Sequence, residues 1–426
     1  MLKNIFITLV LSALISFGLF ACVDDDNDDS ADSEQAGDDD SSGLDDDTAL
    51  ADDDDIPPDN EEGYLEPFDP SEKGPYQVGN RTYVFVDESR PDYASRGSRT
   101  LLTEVWYPAE DSSENLPRDM VKNFMGRWFP LIEQILGLIL PDEELENFYL
   151  EMGSARDAPI HRGGSPYPLI MISHGNAAAR FAYFSMAEYL ASHGYIVVAP
   201  DHIGNAVFVT LPDRLSIYNP ILMPFSAIDR VQDLWFLIDT FTELNDYDPE
   251  NYFTDMVDLE RIGIAGHSYG GVTGGEEAIL DHRVKAMVSM ACPMVPIYPG
   301  NYNTAVMFMI GTEDRTMREW APWIRLEYSI FPEPKHLMEI RDAGHYTFSD
   351  ACNLIPTLMG NGDGCGVNTR EDTGEEFSFI AKDTGDAIIN SYLTAFFGTY
   401  LKEQASMSAY LTTNHFPENI SLLNNP

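Results

Sequence analysis

The chain has 426 residues, with 25 Lys or Arg against 71 Asp or Glu, and its formal net charge is −46. Residues 24–62 contain 20 of the acids and no base, so removing them and Lys3 leaves 51 acids and 24 bases over residues 63–426, a net charge of −27. Such a field repels a phosphate backbone and excludes nucleic-acid binding, while the 44% of hydrophobic residues can build a large core.

The first residues are typical of an export signal. Lys3 precedes an apolar run over residues 5–20, which is followed by Ala21 and Cys22. A basic start, an apolar stretch and a small residue before a cleavage point define a secretory signal. Because a cysteine stands directly after Ala21, we predict that residues 1–21 are a lipoprotein signal peptide. Cys22 would then be lipidated and anchor the protein in the bacterial cell envelope, facing the periplasm or the cell exterior. The alternative is an ordinary signal peptide, or an uncleaved anchor, with an incidental cysteine.

An acidic tract follows the signal. Residues 22–63 are rich in aspartate and are predicted to form an extended, disordered tether, because like charges repel and little apolar area is available for burial. The tract lacks the regular Asp and Asn spacing of a calcium-binding loop, which disfavours a specific calcium site. No later run reaches the ~18 apolar residues of a membrane span, so we expect membrane contact through the N-terminal lipid alone.

From residue 64 onward, apolar runs of strand length alternate with helical patterns. Strands are predicted at residues 77–86, 99–107, 169–173, 195–199, 261–265, 284–290, 305–310 and 336–340. Helices are predicted at residues 181–192, 227–244, 271–280, 315–327 and 383–404. Continuously apolar strands indicate burial on both faces, as in a mostly parallel, doubly wound α/β sheet with helices on both sides. We expect one α/β domain over residues 64–404, a helical insertion before the third core strand, and a C-terminal tail over residues 405–426.

One motif indicates a specific chemistry that the α/β pattern alone does not. The sequence Gly-His-Ser-Tyr-Gly occupies residues 266–270, directly after a predicted buried strand and before a predicted helix. In a G-x-S-x-G turn the serine sits on a strained strand-to-helix elbow with its hydroxyl exposed at the sheet edge, and the glycines allow close backbone approach. Ser268 is therefore the predicted nucleophile. The alternative is a glycine-rich turn that only packs a helix on a strand.

An acid and a histidine follow the serine in the chain order of an α/β-hydrolase triad. Asp314 comes just after the strand predicted at 305–310, and it is the preferred carboxylate, with Glu313 as the alternative. The alternative role for both carboxylates is to cap the next helix. His345 follows the last predicted strand in a glycine-containing loop, where a general base can reach the serine. The other eight histidines do not satisfy this order.

Catalysis by such a triad also needs an oxyanion hole, which is usually built from two backbone N–H groups. Tyr269 follows the nucleophile and would supply one. The loop after the strand predicted at 169–173 begins His174-Gly175-Asn176, and the amide of Asn176 is the candidate for the other. The alternative is that this turn only starts the next helix.

Several segments together resemble a known family. They are VWYPA at 105–109, SHGN at 173–176, ASHGYIVVAPDH at 191–202, GHSYGG at 266–271 and DAGHYTF at 342–348. They look like the plasma-type platelet-activating-factor acetylhydrolase branch of α/β-hydrolases, which is similar to cutinase-like polyesterases and relatives of dienelactone hydrolase. The resemblance covers about residues 76–400 and implies a serine esterase without a metal or cofactor. Carried over by position, it makes Ser268 the nucleophile, Asp314 the acid, His345 the base, and Asn176 and Tyr269 the oxyanion donors. Asn176 and Tyr269 depart from the residues common there, which affects acyl specificity more than chemistry.

Two segments of the domain bear on the substrate. Within residues 112–160, the nearly apolar stretch 120–140 predicts a helix that acts as a lid or an acyl-binding wall, or that simply packs on the core. Residues 201–227 form a Pro-interrupted segment that could line a pocket or cover the sheet edge.

Cysteine usage agrees with export. An exported location permits a disulfide between Cys352 and Cys365, and Cys292 is expected to be a buried free thiol. No histidine or cysteine cluster has zinc-ligand spacing, and no glycine-rich phosphate-binding loop follows the first predicted strand, so neither a metal nor a nucleotide is predicted.

These observations predict an exported serine hydrolase that cleaves short-chain, oxidised-lipid or polyester-type carboxylic esters through an acyl-enzyme. The alternatives are an acyltransferase or a lactone or dienelactone hydrolase on the same triad, and a non-catalytic surface-binding lipoprotein with the same fold. The expected partner is a small-molecule or polymeric ester, and we expect a monomer.

Overall fold

The computed structural model describes residues 68–92, 97–164, 166–294, 302–360 and 362–424. The predicted signal peptide, the lipidation site at Cys22 and the acidic tether lie outside the described residues. Within the described ranges, no helix has both the length and the apolar character needed to cross a bilayer.

A ten-stranded sheet forms the centre of the described part of the chain. The strands, in chain order and including two small hairpins outside this sheet, are β1 (Gln77–Pro91), β2 (Ser98–Ala109), β3 (Ala155–Arg156), β4 (Tyr167–Ser173), β5 (Ile196–Asp201), β6 (Phe208–Thr210), β7 (Leu215–Ile217), β8 (Val257–His267), β9 (Val284–Met290), β10 (Ala305–Gly311), β11 (Lys335–Ile340), β12 (Val367–Thr369), β13 (Glu376–Ser378) and β14 (Ile420–Asn424). The spatial order is β14-β11-β10-β9-β8-β4-β5-β2-β1-β3, and the six strands from β11 to β5 run parallel.

Helices connect and cover these strands. They are α1 (Phe129–Leu136), α2 (Asp142–Leu145), α3 (Phe184–Ser192), α4 (Met223–Asp246), α5 (Tyr269–Leu280), α6 (Ala321–Ile330), α7 (Ala351–Leu354), α8 (Pro356–Gly360), α9 (Lys382–Tyr400) and α10 (Ala405–Leu411). The chain thus has the mostly parallel, helix-covered α/β architecture that the strand and helix pattern predicted, and this architecture is the α/β-hydrolase fold that the family resemblance implied.

Alternate strand residues pack into two apolar layers, one on each face of the sheet. Ile170 and Ile172 of β4 contact the layer that includes α3 and α9, whereas Leu169 and Met171 contact the layer that includes α4 and α6. Successive side chains of a strand point to opposite faces, so a strand with no polar position must be covered on both sides. This burial on both faces explains why the strands appear in the sequence as continuous apolar runs.

The insertion before β4 is not one continuous helix. Residues 121–128 form a 3₁₀ turn with Gly126 at φ +51° and ψ −135°, and α1 begins only after it. Because that backbone conformation is open to glycine and is not helical, Gly126 divides the stretch 120–140 that the sequence predicted as one helix. Phe124, Met125 and Ile132 are buried in the core, and Leu138 is exposed.

Residues 405–424 belong to the folded domain, which corrects the prediction of a separate tail over residues 405–426 for this part. Met407 and Leu411 of α10 are buried against the same apolar layer as α9, and β14 pairs antiparallel with β11, with Ile340 opposite Ile420. The segment 405–424 therefore covers the edge of the sheet at β11. A five-residue strand carries a weak periodic signal, which is why the sequence did not reveal it.

Candidate active site

Ser268 stands on a strained elbow between β8 and α5. Its backbone has φ +54° and ψ −127°, which costs a non-glycine residue about 1–3 kcal/mol, and its amide donates to the carbonyl of Met290 at 2.9 Å. A Cβ on Gly266 would lie 2.1 Å from the carbonyl oxygen of Gly270, and a Cβ on Gly270 would lie 1.9 Å from that of Ser173. The two glycines are therefore needed to close the turn that presents the serine.

Asp314 and His345 are brought together by the loops after β10 and β11. The Nδ1 atom of His345 lies 3.0 Å from Oδ2 of Asp314, and the amide of Met317 donates to Oδ1 of Asp314 at 2.7 Å. Both residues are buried, with 1% of His345 and 9% of Asp314 exposed. The carboxylate thus fixes the ring orientation and leaves Nε2 as the nitrogen available for proton transfer.

The electrostatics of His345 suit a base that must become charged. Burial lowers the pKa of the imidazole, but the adjacent Asp314 carboxylate outweighs burial and raises the pKa of His345 above its ordinary value. An imidazolium formed during a reaction is stabilised at this position. His267, the last residue of β8, differs from His345, because burial and the nearby His345 hold the pKa of His267 well below its ordinary value.

Glu313, the alternative acid, points into a different ion network. Its carboxylate pairs with Arg370, which also pairs with Asp342. No hydrogen bond joins Glu313 to His345 among the described residues. Of the two adjacent acids, Asp314 is the one that contacts the histidine.

The loop after β4 leaves one amide available near the serine. The amides of Gly175, Ala177 and Ala178 donate to Tyr183 Oη, the carbonyl of Asn205 and the carbonyl of Gly175, respectively. The amide of Asn176 donates to no described residue. Tyr269 is the first residue of α5, so its N–H has no acceptor within the helix. These two amides are the donors that the sequence proposed for an oxyanion hole.

An apolar cavity opens over these groups. Ser268, His345 and Asn176 lie on its wall, and its space of about 1220 Å³ is in part open to solvent. Leu136 and Phe148 of the insertion line it, as does Phe208 from the segment 201–227. No Lys, Arg, Asp or Glu is among the described residues that line the cavity. Both insertions that the sequence singled out therefore contribute side chains to this wall, and part of each also packs in the core.

Asp363 is a site residue that sequence reasoning missed. Its Oδ1 accepts the amide of His345 at 3.0 Å, and its Oδ2 accepts the amides of Arg315 and Thr316 at 2.7 and 2.6 Å. One carboxylate thus ties the loop of the base to the loop of the acid. Asp363 lies in a short Gly/Asn/Asp stretch with no periodicity, and only its position inside the predicted disulfide loop could have drawn attention to it.

The cysteines frame this stretch. Cys352 of α7 and Cys365 are disulfide-bonded, with their Cα atoms 5.7 Å apart, and Cys292 is a buried free thiol. The pKa of Cys292 is raised by burial, so this thiol stays protonated. Over the described ranges, no group of three or more His, Cys, Asp or Glu side chains is arranged to hold a metal ion.

Comparisons with known proteins show similarity to ester-hydrolysing α/β-hydrolases. The family described as platelet-activating factor acetylhydrolase, isoform II, matches residues 68–215, and the alpha/beta hydrolase fold family matches residues 168–337. Platelet-activating factor acetylhydrolase of Bos taurus is 25% identical over 331 residues, which are 68% of this chain and 70% of that protein.

A fungal and a bacterial protein extend the similarity. A probable 1-alkyl-2-acetylglycerophosphocholine esterase of Arthroderma benhamiae is 24% identical over 52% of this chain and 57% of its own length. A ferulic acid esterase from Streptomyces cinnamoneus superposes with a TM-score of 0.61 at 23% identity, and covers 77% of this chain and 91% of that chain. At this identity the last similarity concerns the fold alone.

Proposed function

We propose that this chain hydrolyses carboxylic esters through an acyl-enzyme on a Ser268–His345–Asp314 triad. It is an α/β-hydrolase of the platelet-activating-factor acetylhydrolase and esterase group, and a carboxylic ester hydrolase. The observation that carries the proposal is the contact of 3.0 Å between His345 Nδ1 and Asp314 Oδ2, beside a serine on a strained elbow at the wall of the same cavity. A nucleophile, a base and a group that orients the base are the parts that acyl transfer needs.

In the first half of the reaction, Ser268 Oγ attacks the ester carbonyl carbon and passes its proton to Nε2 of His345. The carbonyl electron pair moves to oxygen, and the amides of Asn176 and Tyr269 stabilise the resulting oxyanion. The intermediate then expels the alcohol, which takes the proton from His345, and the acyl group stays on Ser268.

In the second half, water attacks the acyl carbon while His345 accepts a proton from it. The second tetrahedral intermediate breaks its bond to Ser268 Oγ, which recovers the proton, and the carboxylic acid leaves. Asp314 stabilises the imidazolium in both halves without taking a proton itself.

The composition of the cavity wall supports an ester with an apolar acyl or alcohol group. Leu136, Phe148 and Phe208 line the cavity, and no ionisable lysine, arginine or acid is among its described lining. Short-chain, oxidised-lipid and polyester-type esters all meet this requirement. The amides of the oxyanion hole act on the carbonyl that these classes share, so they do not distinguish between them.

Export and anchoring complete the proposal. The apolar run that ends at Cys22 and the acidic tether after it support a lipid-anchored enzyme held away from the envelope surface. The disulfide between Cys352 and Cys365 fits an oxidising compartment.

The test is covalent labelling of the full chain with a fluorophosphonate, together with turnover of p-nitrophenyl esters of increasing acyl length. Ser268→Ala should abolish labelling and reduce kcat by about 10⁶-fold, the scale of nucleophile loss in comparable triads. Ser329→Ala, on the outer side of α6, is the matched control and should label and turn over like the wild type. A wild type that neither labels nor hydrolyses any ester in the series would contradict the proposal and favour a non-catalytic binding protein.

A further inference from the structure

Arg230 is a buried arginine of α4 that no step of the proposed reaction uses. None of its surface is exposed, and no carboxylate among the described residues forms an ion pair with it. Burying an arginine without an ion-pair partner is costly unless its N–H groups are satisfied in another way. The hydrogen bonds of the Arg230 side chain should therefore show what offsets the cost of its burial.

The guanidinium of Arg230 is bonded to the elements on both sides of the oxyanion hole. Towards the loop after β4, it donates to the carbonyl of His174, to Ser173 Oγ at 3.0 Å and to Oδ1 of Asn205. Towards α5, its Nε donates to Thr273 Oγ1 at 2.9 Å. The five N–H donors of a planar guanidinium can hold several acceptors in fixed directions at once, which the point charge of a lysine cannot do.

Asn205 transmits the first set of contacts to the predicted donor. Because a guanidinium only donates, it holds the carbonyl oxygen of the Asn205 amide towards itself and turns the NH₂ group the other way. That NH₂ group donates to Oδ1 of Asn176 at 2.7 Å, and the backbone carbonyl of Asn205 accepts the amide of Ala177 at 3.0 Å. The side chain of Asn176 and the amide next to it are thus held from one point, which leaves the amide of Asn176 free to face the cavity.

The second donor is held from the same side chain. The guanidinium carbon of Arg230 lies 4.7 Å from the centre of the Tyr269 ring, a cation–π distance, and Thr273 Oγ1 also donates to the carbonyl of Tyr269 at 3.0 Å. One buried cation therefore contacts the groups that hold both Asn176 and Tyr269 in place.

We propose that Arg230 is a positioning residue of the oxyanion hole, which sets the Asn176 and Tyr269 amides at the spacing that a tetrahedral oxyanion requires. This inference rests on the proposed esterase function. Preorganised donors are effective only when they point to where the charge develops, and loss of one such donor in a serine hydrolase costs about 10²- to 10³-fold in kcat.

A second serine, histidine and aspartate lie in a row at the end of β4, but they do not form a second active site. Ser173 Oγ lies 3.0 Å from Nε2 of His202, and Nδ1 of His202 lies 2.9 Å from Oδ2 of Asp233. All three side chains are fully buried, so no ester reaches the hydroxyl. Arg230 donates to Ser173, so this row of hydrogen-bonded side chains anchors the end of β4, from which the Asn176 loop starts.

The experiment compares Arg230→Lys and Asn205→Ala with the wild type in the full-length protein, with Arg156→Lys as a control. Arg156 is also a largely buried arginine, but it contacts Thr82, Glu104 and Asp119 at the far edge of the sheet. For each variant we would measure kcat and KM on one p-nitrophenyl ester, the inhibition constant of a trifluoromethyl ketone that mimics the tetrahedral intermediate, and the melting temperature.

We expect Arg230→Lys and Asn205→Ala to lower kcat by about 10- to 100-fold at nearly constant KM, and to weaken the trifluoromethyl ketone by a similar factor. Arg156→Lys should keep kcat and ketone affinity even where its melting temperature falls. Unchanged kcat and ketone affinity in a folded Arg230→Lys protein would overturn the proposal. If that variant does not fold, unchanged values in Asn205→Ala overturn it instead. A wild type without activity would contradict the esterase function itself, which separates the two failures.

Discussion

At the scale of single residues, the acid–base behaviour of a buried histidine depends on the charges that face its ring. His202 and His345 are both buried and both lie within 3.0 Å of an aspartate. Burial and the nearby Arg230 lower the pKa of His202 to about 3, whereas Asp314 raises the pKa of His345. At His202, burial and the positive charge of Arg230 together outweigh the raising effect of Asp233 on the pKa. His345 therefore suits proton transfer, and His202 stays neutral as a structural hydrogen-bonding group.

The assignment of the acid predicts a difference between two neighbouring substitutions. Asp314→Asn removes the charge that stabilises the imidazolium and favours the wrong tautomer, so kcat should fall by about 10⁴-fold. Glu313→Gln only weakens a partly exposed pair with Arg370, so it should keep most of the activity. The measurement is kcat on one chromogenic ester, after circular dichroism has confirmed that both proteins are folded. A larger loss in Glu313→Gln than in Asp314→Asn would show that the acid is assigned to the wrong residue.

The raised pKa of His345 predicts the direction of the pH profile. The base works only when it is neutral, so kcat/KM should rise with pH through the pKa of His345 in the free enzyme. Because Asp314 raises this pKa, the midpoint should lie above the ordinary value of ~6.5. In Asp314→Asn, only the Asp363 carboxylate would still oppose the effect of burial on the pKa of His345, so the remaining activity should have a lower midpoint. A wild-type midpoint clearly below ~6.5 contradicts the electrostatic role given to Asp314.

At the scale of secondary-structure elements, the sequence predicts strand cores better than their connections. The strand at 284–290 has the predicted bounds, and the turn at Ser268 lies between a strand and a helix as the motif required. These features follow from continuous apolar runs and from glycine spacing, which are local signals.

The features that the sequence missed depend on tertiary contacts. Gly126 divides the apolar stretch of the insertion, β14 completes the sheet, and Asp363 and Arg230 hold the loops of the site. A lone aspartate or arginine has no periodic context, and its partners lie far away in the chain. Their roles become visible only when the loops after β4, β10 and β11 are brought to one edge of the sheet.

The disulfide acts on the element that carries Asp363, so its loss should affect both stability and turnover. Replacing Cys352 and Cys365 together by Ser frees a loop that spans 13 positions, which should lower the free energy of unfolding by at most about 3 kcal/mol. It should also lower kcat, because the Asp363 carboxylate that holds the amide of His345 loses its restraint. Thermal melting and kcat of the double variant, against wild type with and without reductant, measure the two effects.

The matching chemical test is intact mass after alkylation of the denatured protein without reductant. Only Cys292 of these three cysteines should then be modified. Alkylation at Cys352 and Cys365 as well would show that the bond is not formed in the isolated protein, and the stability prediction would fail with it.

At the scale of the whole molecule, charge determines how this chain can approach a membrane. Residues 63–426 carry a net charge of −27, and residues 24–62 add 20 acids without a base. Anionic lipid surfaces attract basic segments and repel such a body. If the proposed lipid at Cys22 is present, stable attachment to an envelope membrane should therefore depend on it.

This reasoning predicts that one substitution releases the protein. Cys22→Ser removes the proposed lipidation site, and anionic lipids repel the acidic body, so the variant should move from the membrane fraction to the soluble fraction with unchanged kcat. Cys292→Ser is the matched control, because this thiol is buried in the domain, and it should fractionate like the wild type. Fractionation followed by immunoblotting and esterase assay gives the distribution. If wild type and Cys22→Ser are both soluble, the lipid anchor is contradicted; if both stay with the membrane after a salt wash, another part of the chain holds the protein there.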